Sequence, residues 1–214
     1  MGMILVARVT KSGWASMTSF MSEHTTEFYV VPRFRAIIEK RFSSALPMYF
    51  WSSREGTARD AHVGVQGRLC ALFARRPKDP TPTHVIMKVN AEVFDDAVRL
   101  RKLGIPTFVG MPEVVSFLEL AGEFECAWFS LRATEDAQSD FYFTSAAPVE
   151  PDFRVRGPLN EEEICGIVQD ECRDVTWAEA VGCMSEVRRS AAPGRFIFGP
   201  SYKPVYFFIP GRHR

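Results

Sequence analysis

The sequence has no apolar run near the length of about 20 residues that a membrane-spanning helix needs. This argues against an integral helical membrane protein and leaves no membrane partner to expect. Met1 to Ala7 is apolar for only a few residues before Arg8 and Lys11. It lacks the ordered basic flank, apolar core and cleavage site of a secretory signal. Cysteine is sparse: Cys70, Cys126, Cys165, Cys172 and Cys183, with no Cys-x-x-Cys among them. An odd, loosely spaced set supports neither a disulfide scaffold nor a zinc ribbon. Small buried thiols in a reducing compartment are the simpler expectation, so the chain is expected to be soluble and cytoplasmic. The histidines, His24, His62, His84 and His213, include no pair with metal-site spacing, and no metal is expected. Gly-x-Gly-x-x-Gly, Gly-x-x-x-x-Gly-Lys-Ser/Thr and Gly-x-Ser-x-Gly are all missing. Their absence argues against the classical dinucleotide and nucleotide loops and the serine-hydrolase elbow, so no cofactor is expected either. No internal repeat is visible.

What is present describes a globular chain. Its 214 residues are 46% hydrophobic and 24% charged, enough for one domain whose core needs no metal or disulfide. Met21-Ser22-Glu23-His24 reads like the head of that domain, which makes residues 1–20 a candidate N-terminal appendage to a single domain spanning 21–214. Phenylalanine is abundant, at 18 residues, and its large buried area favours an aromatic core or an aromatic contact surface.

The pattern along the chain predicts an α/β fold, with mixed α+β as the variant. Glu27–Val31 is a β-favouring run closed by Pro32. Arg33–Ala45 has Phe34, Ile37, Ile38 and Phe42 at helical spacing. Met48–Trp51 reads as a short strand, and His62–Ala74 as a strand pair or one bent strand. Three prolines within 76–83 mark a surface connection. The most legible stretch is His84–Val89 (strand), Asn90 (cap), Ala91–Leu103 (helix), Gly104 (stop) and Ile105–Val109 (strand). A helix from Pro112 and a strand over Phe124–Ser130 follow. That order predicts a central parallel βαβαβ unit at about 84–130. Additional mixed strands and C-terminal helices would extend it: a strand over Asp140–Thr144, a helix capped by Asn160 with Glu161, Glu162 and Glu163 in its first turn, and a second helix over Thr176–Arg188. Phe196–Phe198 and Val205–Ile209 read as a closing hairpin.

Charge is divided along the chain. Residues 27–110 carry 14 Lys/Arg against 8 Asp/Glu, residues 111–187 carry 4 against 17, and residues 188–214 carry 6 against none. Either the blocks form opposed faces that steer partners, or they fold together and cancel.

Two clusters suggest chemistry. Ser52-Ser53-Arg54-Glu55 and Arg59-Asp60-Ala61-His62 place a hydroxyl, an acid and a histidine close in sequence. Such a set could serve acid–base work, but loops gather these residues with or without function, and a solvated loop is the favoured reading. The segment from His84-Val-Ile-Met-Lys-Val89 through the helix to Gly104-Ile-Pro-Thr-Phe-Val-Gly110 resembles the strand–helix–strand half of PD-(D/E)xK-type nucleases, most closely the VRR-type members, over about 35 residues. The resemblance implies a metal-dependent phosphodiesterase in which Lys88 stabilises charge and Asp60 serves as the upstream acid. Ile86 stands where the family's second carboxylate belongs. The helix after Asn90 carries Glu92, Asp95 and Asp96, which already occupy the positive end of its dipole and would repel a phosphate.

Basic and aromatic side chains also mix: Arg33 and Arg35 beside Tyr29 and Phe34, and Arg75 and Arg76 after Phe73. With Arg54, these form a candidate binding surface for single-stranded nucleic acid or for a protein partner. The leading expectation is a non-enzymatic interaction protein using that basic, aromatic surface. The alternative is a nucleic-acid-processing enzyme with a divergent nuclease-like core, its catalytic candidates being Asp60, Lys88 and His62.

Overall fold

A computed structural model describes residues 5–9, 15–19, 23–48, 65–78, 86–89, 91–113, 124–131, 141–144, 155–190 and 204–211. Strands β1 (Leu5–Val9) and β2 (Ala15–Ser19) pair antiparallel in a two-stranded sheet of their own. Helix α1 (Glu23–Arg41) follows, then β3 (Leu46–Met48), β4 (Gln66–Ala74), β5 (Pro77–Lys78), β6 (Ile86–Val89) and helix α2 (Ala91–Lys102). After these come β7 (Thr107–Pro112), β8 (Cys126–Leu131), β9 (Phe141–Thr144), β10 (Val155–Arg156), helix α3 (Glu161–Glu171), β11 (Asp174–Thr176), helix α4 (Trp177–Ser190) and β12 (Val205–Pro210). The main sheet has seven strands, ordered β10-β8-β7-β4-β12-β3, with β11 also on β4. A three-stranded sheet, β5-β6-β9, stands apart from it. No helix among the described residues is long and apolar enough to cross a membrane.

Alternation along the central strands divides the core between two faces. Cys70 and Leu72 of β4, with Val205, Phe207 and Ile209 of β12, pack against α1 and α3. Leu69 and Ala71 of β4, with Tyr206 and Phe208 of β12, pack against Leu100 of α2 and Ala180, Cys183 and Met184 of α4. Helices on both faces of a mixed sheet that contains a parallel pair make this a mixed α/β architecture.

Helix α1 replaces the strand expected at Glu27–Val31. Val30, Val31, Phe34, Ile37 and Ile38 recur at helical spacing and are all buried. Burying each such side chain contributes about 1.5–3 kcal/mol, whereas the helix-propensity deficit of a valine or phenylalanine is under about 0.7 kcal/mol. Packing therefore decides. Pro32 lies inside the helix with its ring exposed. Its missing N–H leaves the Phe28 carbonyl without the usual intrahelical donor. Gly110 of β7 allows the close approach, since a Cβ there would lie 2.7 Å from Val30 Cγ1 and 2.4 Å from the Trp128 ring.

The three-strand parallel unit expected over 84–130 is also corrected. β4 and β7 are parallel, with Ala71 opposite Thr107, but β7 and β8 are antiparallel, with Pro112 opposite Cys126. Glu113 N donates to Glu125 O at 2.8 Å, so the chain re-enters the sheet at the end where it left. A crossover would have delivered it to the other end. The helix expected from Pro112 falls on residues 114–123, outside the described residues. Strand β6 is not a neighbour of β7, because β5 and β9 occupy its two edges. The closing hairpin is likewise replaced: β12 pairs with β4 and β3, and residues 196–198 lie outside the described residues.

Local signals read correctly at the helix ends. Glu163 N donates to Asn160 Oδ1 at 2.9 Å and Asn160 N donates to Glu163 Oε2 at 3.0 Å, the reciprocal box of a helix start. Thr176 and Glu179 repeat the arrangement at α4, with Glu179 N donating to Thr176 Oγ1 at 3.2 Å. Gly104, at φ +74°, ends α2, with Ile105 N donating to Leu100 O and Gly104 N to Arg101 O.

Phe34 is fully buried, with its ring centroid 5.2 Å from Phe108, 5.4 Å from Trp128 and 5.2 Å from Phe207. Phe34→Ala is expected to lower unfolding free energy by about 3–5 kcal/mol in urea titrations. Thr107 Oγ1 is buried with no hydrogen-bond partner among the described residues. Thr107→Val removes that unmet hydroxyl at nearly constant shape and is expected to raise stability by about 1 kcal/mol in the same measurement.

Candidate functional site

The arginines expected to bind do not share one surface. Arg33 and Arg35 both lie on α1, but two residues along a helix are about 200° apart around its axis. Arg35 Nε donates to Glu39 Oε1 at 2.9 Å. Arg75, just beyond β4, is only 2% exposed, sits 5.8 Å from the Phe73 ring centroid and donates its backbone N–H to Gly110 O. It is a core residue. Arg76, next along, is exposed. Arg54, Asp60 and His62 lie outside the described residues, as does the side chain of Lys88. The backbone of Lys88 is opposite Tyr142 in the β6–β9 pair, away from the β7 neighbour that the nuclease-like reading gives it.

Arg33 has different company. Its guanidinium carbon lies 3.5 Å from the centroid of the Phe124 ring, a cation–π contact. Tyr29, one helical turn earlier, meets the same ring edge to face at 6.3 Å. Tyr29 also meets Phe28 at 5.5 Å. Phe28 projects outward, 74% exposed, with Pro32 one turn along on the same exposed side. The N-terminal half of α1 and the approach to β8 thus build one aromatic patch around a half-buried arginine.

Acids rim the patch. Glu113, just past β7, and Glu125, just before β8, are joined by their backbones. Partial desolvation, then the Glu125 charge, hold the Glu113 carboxyl above the usual carboxylate range. Cys126 lies within the fields of Arg33 and Glu113. Burial pushes its thiol up to about 12, with Arg33 opposing the rise and Glu113 adding to it. Cys172 is also pushed up to about 12, chiefly by burial. Thiols so placed are protonated and poor nucleophiles at neutral pH. All five cysteines are free, and no group of three metal-ligating side chains occurs among the described residues.

Sequence reasoning picked out Arg33 and Tyr29 but missed Phe28, Phe124, Glu113 and Glu125. The signal was the helical spacing of Val30, Phe34 and Ile37. Extended backwards through Pro32, it sets Phe28 and Pro32 on the face away from the core.

The charge blocks meet in space. Lys40 pairs with Glu161 at 2.7 Å, Arg68 with Asp174 at 3.6 Å, and Arg101 with Glu171. Each pair joins the basic segment 27–110 to the acidic segment 111–187. Such exposed pairs are worth little individually, but they cancel part of the field that either block would project alone.

A raised carboxyl pKa means that the fold disfavours the charged form. The penalty is present above the folded pKa and disappears as pH falls through it. Glu113→Gln is therefore expected to raise the melting temperature at pH 7, with the gain vanishing by about pH 4. Thermal melts across that range read the effect. No protein-family model, curated protein or solved structure matches the chain.

Proposed function

We propose that this chain is a non-enzymatic interaction protein that docks a protein partner on the patch formed by Phe28, Tyr29, Arg33 and Phe124. The observation that carries the reading is Phe28. A ring left 74% exposed forgoes about 1.5–3 kcal/mol that burial would return. Here it is braced by Tyr29, which packs on the Phe124 ring that Arg33 also meets. Aromatic residues and arginine supply most of the strong contacts in protein interfaces, and a braced ring loses little rotamer freedom on docking. The rim favours protein over nucleic acid. Glu125 adjoins Phe124 in the chain, and Glu113 is hydrogen-bonded to Glu125 through the backbone. Among the described residues two acids therefore accompany Arg33 at this end of the patch, which suits a phosphate backbone less than a basic surface would. A partner with an apolar pocket for Phe28 and a lysine or arginine opposite the two glutamates is complemented.

The protonated thiols at Cys126 and Cys172 support the non-catalytic side of the reading. So does the partial cancellation of the charge blocks, which leaves less uncompensated basic surface for phosphates.

The test compares the wild-type chain with Phe28→Ala and Glu125→Lys. Partners are recovered from the source cell and their affinities then measured with purified components. Each variant is expected to weaken the partner complex about tenfold or more, as loss of an interface anchor does. Its melting temperature should stay near wild type, because both side chains are exposed. A complex of unchanged affinity in both variants overturns the patch. Recovery of nucleic acid whose affinity falls steeply with salt overturns the choice of partner.

A further inference from the structure

A second site lies at the opposite end of β4 from the patch residues. A cavity of 420 Å³ opens between the C-terminal turn of α1, the start of β4, and the ends of α3 and β12, within the size range of small-molecule sites. Arg41 and Arg68 line it from different elements, together with Phe42, Ile209, Gln169 and Asp174. Arg41 gives Nε and Nη2 to Gln169 Oε1 at 3.2 and 2.9 Å. A neutral amide orients this guanidinium without neutralising it; among the described residues no carboxylate pairs with Arg41, and Nη1 makes no hydrogen bond. Arg68 comes no closer than 3.6 Å to the Asp174 carboxylate, at Nε, beyond hydrogen-bonding distance. Its two Nη groups make no hydrogen bond to a described residue. The neighbouring charges Arg101 and Glu171 pair with each other and leave the local balance unchanged. The C-terminal ends of α1 and α3 lie here; their partial negative charge holds the two cations and opposes an incoming anion, so any grip on an oxyanion comes from the guanidinium N–H groups themselves. Phe42 and Ile209 add apolar wall.

We propose that this cavity binds a small amphipathic oxyanion, a carboxylate or monophosphate group on a short apolar body, with Arg41 and Arg68 gripping the oxyanion and Phe42 and Ile209 covering the body. Guanidinium forks suit these groups because two parallel N–H bonds match two oxygens. Asp174, whose side chain is 78% exposed, is the competing anion at the mouth.

Calorimetric titration of the full chain with phenyl phosphate and with benzoate, at constant ionic strength, tests this. Saturable one-to-one binding of at least one probe is expected, and the better of the two identifies the preferred oxyanion. Arg68→Gln and Arg41→Gln should each weaken it about tenfold, the loss of a charge-assisted hydrogen bond. Asp174→Asn should tighten it several-fold, and this gain keeps the proposal testable if an arginine variant fails to fold. Absence of saturable binding of both probes to the wild-type chain overturns the proposal. So does binding that Asp174→Asn leaves unchanged or weakens.

Discussion

The seating of Phe34 against β7, β8 and β12 is the constraint on which the rest of this structure depends. Its ring meets Phe108, Trp128 and Phe207 at once, so one residue of α1 fixes the helix over three strands of the main sheet. With Phe34 in place, Val30, Val31, Ile37 and Ile38 reach the core, and the helical period carries Phe28 and Pro32 to the outer side. The interaction patch is thus a geometric consequence of core packing. The helix that anchors Phe34 must continue through Pro32, and in doing so it exposes a phenylalanine.

That linkage explains why some of the fold was legible in the sequence and some was not. Caps and stops were readable because their chemistry is local. Asn160 with Glu163, Thr176 with Glu179, and Gly104 after α2 each act within a few residues. The strand expected at Glu27–Val31 failed because β-branched and aromatic residues followed by proline carry the local signature of a strand end, while burial of one face outweighed it. Strand direction was equally out of reach. Nothing within 84–130 announces that Glu113 and Glu125 will meet and turn β8 back along β7, or that β5 and β9 will claim the edges of β6.

At the candidate site, too, side-chain direction is set by tertiary packing. Grouping Arg33, Arg35 and Arg75 by proximity in sequence ignored direction. One rests on Phe124, one pairs with Glu39, and one is buried. The charge blocks show the effect on a larger scale, since Lys40, Arg68 and Arg101 each find an acid from the opposing block. What sequence reasoning did carry was the idea of arginine among aromatics. It recurs at Arg33, whose ring partner Phe124 is distant in the chain and is brought near only by tertiary folding.

The most direct test of this account is the backbone conformation of residues 27–41 in solution, read from Cα and Cβ chemical shifts with nuclear Overhauser contacts from the Phe34 ring. An unbroken run of helical shifts on both sides of Pro32, with contacts from Phe34 to Phe108, Trp128 and Phe207, is the expected result. Extended-strand shifts over Glu27–Val31, or a Phe34 ring without those contacts, would contradict both the packing of α1 and the surface it presents.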